Sequence, residues 1–571
     1  MKHTFFLLLT CLFLLLITTE TALAGKKEML FGDFASLEPE EVLASMSLEE
    51  KLGQVFIFGF GGTGLNDEYR AWLLDGKLGN IKLFLRNIES RDQLRELTDS
   101  IVFLIDNSDT GIPPFIATDM EGGTVNHVRY EGVFLSPAAG LIGASGKVEN
   151  NRNASRLIAY TLLDAGINVN FAPCADVLTS PRNRVIGTRS FGSDPEMVTA
   201  MTASFVEEHQ RLGILSVVKH FPGHGMASFD THLHTEAVKT SMQEIIDVHL
   251  RPYTGLVRKE VLDGIMVSHV IYDHADPSMP ASFSSKILES GLREKMGFRG
   301  VVVTDDLEME GSEGFAGHIV TAFVYAFRAG NDLFLISHTK EKQELLIDRA
   351  SLLFERGTLD ERALDEKVLR ILEVKKKYLV PFYTIRERES DMGPVLEKLA
   401  RQVAEDASDG LVLMASTLEC TVPEYLEGAL GRGVRGVVLA PTRDFEEAAR
   451  RYFPGWDTVY IRYLPGRRSN FRKIESMRKD LASYDIAVLG LANERQTAWA
   501  RACIREGVPL GVLSIDNPYY ARTLREDALF IACCFGPHSP ALDALFESVC
   551  RTGEFPGILP YDYDFNFSGA R

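Results

Sequence analysis

GVVVTD, residues 300–305, carries the reading that decides the fold: three consecutive valines, then Thr304, then the paired carboxylates Asp305 and Asp306. A short β-branched run with no polar alternation is the pattern of a parallel strand covered on both faces. Seven more runs of this kind flank it: 53–60 GQVFIFGF, 80–86 NIKLFLR, 114–119 PFIATD, 168–173 NVNFAP, 214–220 ILSVVKH, 263–270 DGIMVSHV and 332–337 DLFLIS. Between them lie stretches with helical period, including Ser155 to Leu163, Pro195 to Leu212, Gln243 to Lys259 and Ile319 to Ala329. Eight strands alternating with helices predict an α/β protein built on a (β/α)8 TIM-like barrel.

Outward from the barrel the pattern changes. A helical stretch from Leu359 to Leu379 closes the first unit, and Val380-Pro381 followed by the charged run Arg386 to Glu389 reads as a linker over 381–400. Strands then recur at 411–415, 436–440, 485–491, 508–514 and 528–533 with helices between, so 401–571 is expected to form a smaller α/β sandwich domain. A length of 571 residues accommodates both units and excludes a single small binding module.

Composition narrows the class. Hydrophobic residues make up 45% and charged residues 25%, which is ordinary globular usage. The net charge of -18 repels phosphate backbones and disfavours nucleic acid as a partner. At the N-terminus, Lys2, the apolar run Phe5 to Ile17 and Ala22-Leu23-Ala24 read as a signal peptide over 1–24, leaving the barrel unit as 25–380. Export is therefore expected, to the periplasm or beyond, with no membrane span once the leader is removed. Cys11 admits a lipoprotein reading, which Thr10 before it disfavours. The six remaining cysteines show no C-x-x-C spacing, and disulfides in the second half stay open.

Catalytic groups in such a barrel come from the carboxyl ends of several strands. Here those ends carry Asp119, Lys219-His220, Ser268-His269 and Asp305-Asp306. Turns are polar anyway, so any one of these alone means little; four together, ending apolar strands, point to a site. The densest signal is Lys219-His220-Phe221-Pro222-Gly223-His224-Gly225, continuing to Asp230-Thr231-His232-Leu233-His234, which holds four of the 13 histidines. Two chemistries compete. The histidines with Asp230 could ligate zinc. Alternatively, Asp230 orients His232 as a proton donor and acceptor, the reading we favour because no helix holds the histidine pair on one face.

These motifs resemble glycoside hydrolase family 3, and within it the bacterial β-N-acetylglucosaminidase branch. The resemblance rests on Ala117 to Gly123 (ATDMEGG), Asn170 to Pro173 with Asp176-Val177, Ile186 to Gly192 (IGTRSFG), the KHFPGHG run, Asp230-Thr231-His232 and Val303 to Met309. The KHFPGHG run with a following D-x-H is the selective element. The resemblance implies a cofactor-free retaining enzyme acting on a β-N-acetylglucosaminide glycan such as a cell-wall fragment. In it Asp305 is the nucleophile, His232 the general acid and base, and Asp230 its partner, while Asp119, Arg189, Lys219 and His220 hold the sugar. Phosphorolysis or β-glucosidase activity within the family, a zinc hydrolase and a non-catalytic glycan-binding protein are the alternatives. One departure stands out: His127 occupies a position where the branch usually has arginine, with Arg129 two residues on. Cys174 likewise replaces a common apolar residue.

Overall fold

The computed structural model describes residues 31–108, 110–227, 237–389, 391–431, 433–461, 474–477 and 479–561. The leader expected over 1–24 lies outside them, as do Asp230, His232 and His234.

Eight staves of the first half follow the eight apolar runs. They are β1 (Phe56–Gly59), β2 (Asn80–Lys82), β3 (Phe115–Thr118), β4 (Val169–Asn170), β5 in two pieces (Leu215–Ser216 and Val218–Phe221), β6 (Gly264–Val267), β7 (Val301–Thr304) and β8 (Phe334–Ile336). Each pairs in parallel with its successor, through Phe58↔Ile81, Ile81↔Ile116, Ala117↔Val169, Val169↔Leu215, Val218↔Ile265 and Ile265↔Val302. A parallel bridge from Val303 to Leu333 joins β7 to β8, and Phe56↔Phe334 joins β8 back to β1. The ring is thereby closed in chain order, the (β/α)8 barrel the sequence predicts. Val301, Val302 and Val303 are wholly buried, as a strand covered on both faces requires.

The surrounding helices form for local reasons. Arg91–Asp106 starts where the Ser90 hydroxyl accepts the Gln93 amide at 3.1 Å. It buries Leu94, Leu97, Ile101 and Ile105, spaced by three or four residues, on one face. Ile101 is fully enclosed, so Ile101→Ala would cost about 2–5 kcal/mol.

Within the expected linker, 381–400, most of the described residues are helical. Glu361–Arg388 runs through Pro381, and Gly393–Asp406 follows. Asn150 and Asn153 of the barrel bond to Asp409 and Asp406 at 2.9 Å each, tying this connection to the helix Val148–Asp164. Beyond it lies a six-stranded sheet: β9 (Val412–Ser416), β10 (Gly436–Ala440), β11 (Asp457–Tyr460), β12 (Ile486–Leu491), β13 (Leu510–Ser514) and β14 (Phe530–Cys533), in the order β9-β14-β13-β12-β10-β11. Only β9 runs antiparallel to its neighbour. Five of these strands match sequence expectations; β11 is additional. Cys174, Cys420, Cys503, Cys533, Cys534 and Cys550 are all free thiols. Among the described residues no helix is long and apolar enough to cross a membrane.

Candidate active site

Because the staves are parallel and the ring is closed, their carboxyl ends share one rim. β3 and β7 stand four staves apart, so Asp119 and Asp305 come to that rim from opposite sides. Asp305 is held at both ends of the residue. Its amide donates to the Val267 carbonyl on the neighbouring stave (3.0 Å), and its Oδ1 accepts the Asp306 amide (2.8 Å). It is half-buried, whereas the Asp306 side chain is buried and accepts the Glu308 amide at 3.0 Å. Burial pushes the Asp306 carboxyl up to about 6. His269, after β6, pins this turn: its Nε2 donates to the Asp306 carbonyl (3.0 Å), and its Nδ1 accepts from the Ser282 hydroxyl (2.7 Å), a tautomer assigned from those partners.

On the opposite side a charged network fills the rim. Asp119 Oδ1 takes Lys219 Nζ at 2.6 Å and its Oδ2 takes Lys82 Nζ at 2.7 Å. Lys219 also reaches Glu121 Oε1 at 2.6 Å, and Arg189 grips Glu121 in a two-point pair at 2.7 and 2.8 Å. Arg189 Nη2 stands 3.4 Å from His220 Nε2, and His220 Nδ1 meets Asp176 Oδ2 at 2.7 Å. Burial works against both acids, but Lys219 and Lys82 hold the Asp119 carboxyl well below the usual range. Arg189 and Lys219 likewise bring Glu121 down to about 2. The same carboxylates raise Lys219 despite its burial. Asp119, Glu121 and Lys219 are thus charged at neutral pH, and each Asp119 oxygen keeps a lone pair for a hydroxyl donor.

Asp119, Arg189, Lys219 and His220, the four groups assigned to the sugar by resemblance, therefore converge. Asp230 and His232 lie outside the described residues. Three members of the network had no role in the sequence reading. Lys82 is a lysine in a buried strand, which signals a buried partner. Glu121 and Asp176 stood inside quoted motifs. Asp176 is wholly buried and lowered by His220 and its hydrogen bonds in spite of burial; it also accepts the His224 amide and the Cys174 thiol (3.1 Å).

His127 Nε2 stands 3.7 Å from Asp119 Oδ2, at the place expected of arginine. Arg129 does not reach in: it turns to His538 of the second domain (2.8 Å), which is held by Asp444 (2.7 Å). The Phe84 ring lies 5.2 Å from both the His127 and His338 rings, and His338 Nε2 is 3.5 Å from Asp306 Oδ2. This arc joins the Asp119 side of the rim to the Asp306 side. Among the described residues, Cys174, Asp176 and His220 have ligand atoms within 4.8 Å of one another, but the hydrogen bonds above already use them. His224, from the zinc alternative, is buried, and burial lowers it to about 4.

Residues 47–374 match the family model described as glycosyl hydrolase family 3 N terminal domain. A β-hexosaminidase from Shewanella frigidimarina is 36% identical over 274 residues, 47% of this chain and 76% of that protein. A β-hexosaminidase from Aromatoleum aromaticum is 35% identical over 304 residues, 52% of this chain and 83% of that protein. Among solved structures, a glycoside hydrolase family 3 β-N-acetylglucosaminidase from a Paenibacillus species superposes with a TM-score of 0.80 at 27% identity, covering 90% of this chain and 99% of that one. The family model thus spans the residues that carry the rim described above, the solved structure covers 90% of the chain and so extends the likeness into the second domain, and the chain belongs to glycosyl hydrolase family 3.

Proposed function

We propose that this chain is a retaining β-N-acetylhexosaminidase that releases terminal β-linked N-acetylglucosamine, with Asp305 as nucleophile and His232, oriented by Asp230, as acid and base. The activity follows the names of its relatives, three of them cited above. The observation that carries the reading is the convergence of Asp119, Lys219, Arg189 and His220 on one side of the barrel mouth, facing the stave tip that holds Asp305. A pyranose is a ring of hydroxyls, and a wall of paired charges offers donors and acceptors at fixed positions.

In this mechanism the Asp305 carboxylate attacks the anomeric carbon through an oxocarbenium-like transition state while His232 protonates the departing oxygen. The product is a glycosyl ester on Asp305. His232 then takes a proton from water, the water oxygen bonds to the anomeric carbon, and Asp305 leaves as carboxylate. Two displacements retain the β configuration. An imidazole performs the proton transfers without adding a second negative charge beside the departing oxygen. The leader-like segment over 1–24 supports the further proposal that the enzyme acts after export.

The test compares aryl β-N-acetylglucosaminide with aryl β-glucoside, each with and without phosphate. Rapid, phosphate-independent release from the amino sugar is the expected result. Preference for the glucoside, or dependence on phosphate with sugar 1-phosphate as product, would overturn the assignment.

A further inference from the structure

We infer that the second domain aims the sugar-binding arginine, and that Tyr561 is the positioning residue through which it does so. The inference rests on the functional reading above, in which Arg189 faces the sugar.

Arg189 sits on the loop after β4, in the tight turn Gly187–Arg189. The Tyr561 hydroxyl lies 3.4 Å from the Gly187 carbonyl and 3.2 Å from the Ser190 carbonyl, so its one proton is shared by two acceptors that bracket Arg189. The ring is buried and packs edge-on against Phe535 of the second domain, with centroids 6.0 Å apart. Neighbouring bonds fix the same loop. The Pro560 carbonyl accepts the Ser193 amide at 2.9 Å, and Arg184 pairs with Glu494. Asp516, just after β13, accepts from the Thr188 hydroxyl at 3.5 Å. Barrel contacts hold the Arg189 guanidinium, whereas Tyr561 and Pro560 hold the backbone on either side of it.

The barrel is shaped to admit the hydroxyl. Gly140, in the helix Ala139–Ser145, has no side chain where a Cβ would run into the Tyr561 hydroxyl and stand 3.3 Å from the Thr188 carbonyl. Glycine there costs helix stability, and the vacant space is the one Tyr561 uses. Two substitutions from opposite domains should therefore give one phenotype. Tyr561→Phe removes the shared bond, and Gly140→Ala displaces the group that makes it.

The experiment is steady-state hydrolysis of an aryl β-N-acetylglucosaminide by the full chain. Tyr561→Phe and Gly140→Ala should each raise KM about three- to ten-fold with kcat changed less than about two-fold, since a loosened contact to the sugar weakens ground-state and transition-state binding together. In an Arg189→Ala background Tyr561→Phe should have no further effect on kcat/KM. A wild-type KM in Tyr561→Phe, or an undiminished effect in that background, overturns the inference while leaving the function intact. Absence of turnover by the wild-type chain overturns both.

Discussion

Lys219 lies between two buried carboxylates, and replacing it by methionine is the sharpest probe of the charged wall. Asp119 would keep Lys82 and Glu121 would keep Arg189, but each would lose a partner 2.6 Å away. Removing one member of a buried ion cluster costs about 3–5 kcal/mol, because burial then acts on charge that is incompletely compensated. In the wild type both acids have folded values below their unfolded ones, so their stabilisation is complete above about pH 5 and is lost on acidification below that. In Lys219→Met burial is opposed by one cation fewer at each acid, which raises those folded values. The penalty is then largest at neutral pH and shrinks as the carboxyls take up protons. Thermal unfolding of the full chain should show the barrel transition lowered by roughly 5–10 °C at pH 7.5, with a smaller deficit at pH 5. An equal deficit at both pH values, or none, would refute the view that Lys219 is there to neutralise Asp119 and Glu121.

Asp176→Asn keeps one acceptor oxygen where His220 Nδ1 and the His224 amide use two, so one of these donors meets an amide N–H and kcat/KM should fall about 10- to 100-fold; unchanged steady-state kinetics would remove Asp176 from the positioning of His220. Asp306 has a folded value raised to about 6, so its ionisation costs stability as pH rises from its unfolded value through that point. Asp306→Asn should thus be stabilised relative to wild type by up to about 3 kcal/mol at pH 8 and little at pH 4.5, measured by melting temperature. A chelator should leave turnover unchanged; activity lost to chelator and restored by zinc would return the histidine-rich sequence from His220 to His234 to the metal reading.

The barrel was legible because each stave is an apolar run enclosed on both faces, as at Val301 to Val303. β11 escaped because it is an edge strand whose residues, Asp457 to Tyr460, are partly or fully exposed, so burial writes no apolar pattern into it. The helix through Pro381 escaped because proline is read as a breaker. Three of the proposed sugar contacts, Asp119, Lys219 and His220, were visible at stave ends and Arg189 within the IGTRSFG motif, whereas Lys82, Glu121 and Asp176 act through partners distant in sequence. Asp176 reaches His220 across 44 positions, a contact only the closed ring creates. The role of Gly140 depends on a tyrosine of the other domain, which no local pattern reveals.

The central claim is a covalent bond between the sugar and Asp305. Intact and peptide mass spectrometry after reaction with an activated 5-fluoro N-acetylglucosaminide measures it directly. One sugar adduct is expected on the peptide containing Asp305, absent in Asp305→Asn. An adduct on another residue, or turnover that inverts the anomeric centre with no adduct at all, would contradict it.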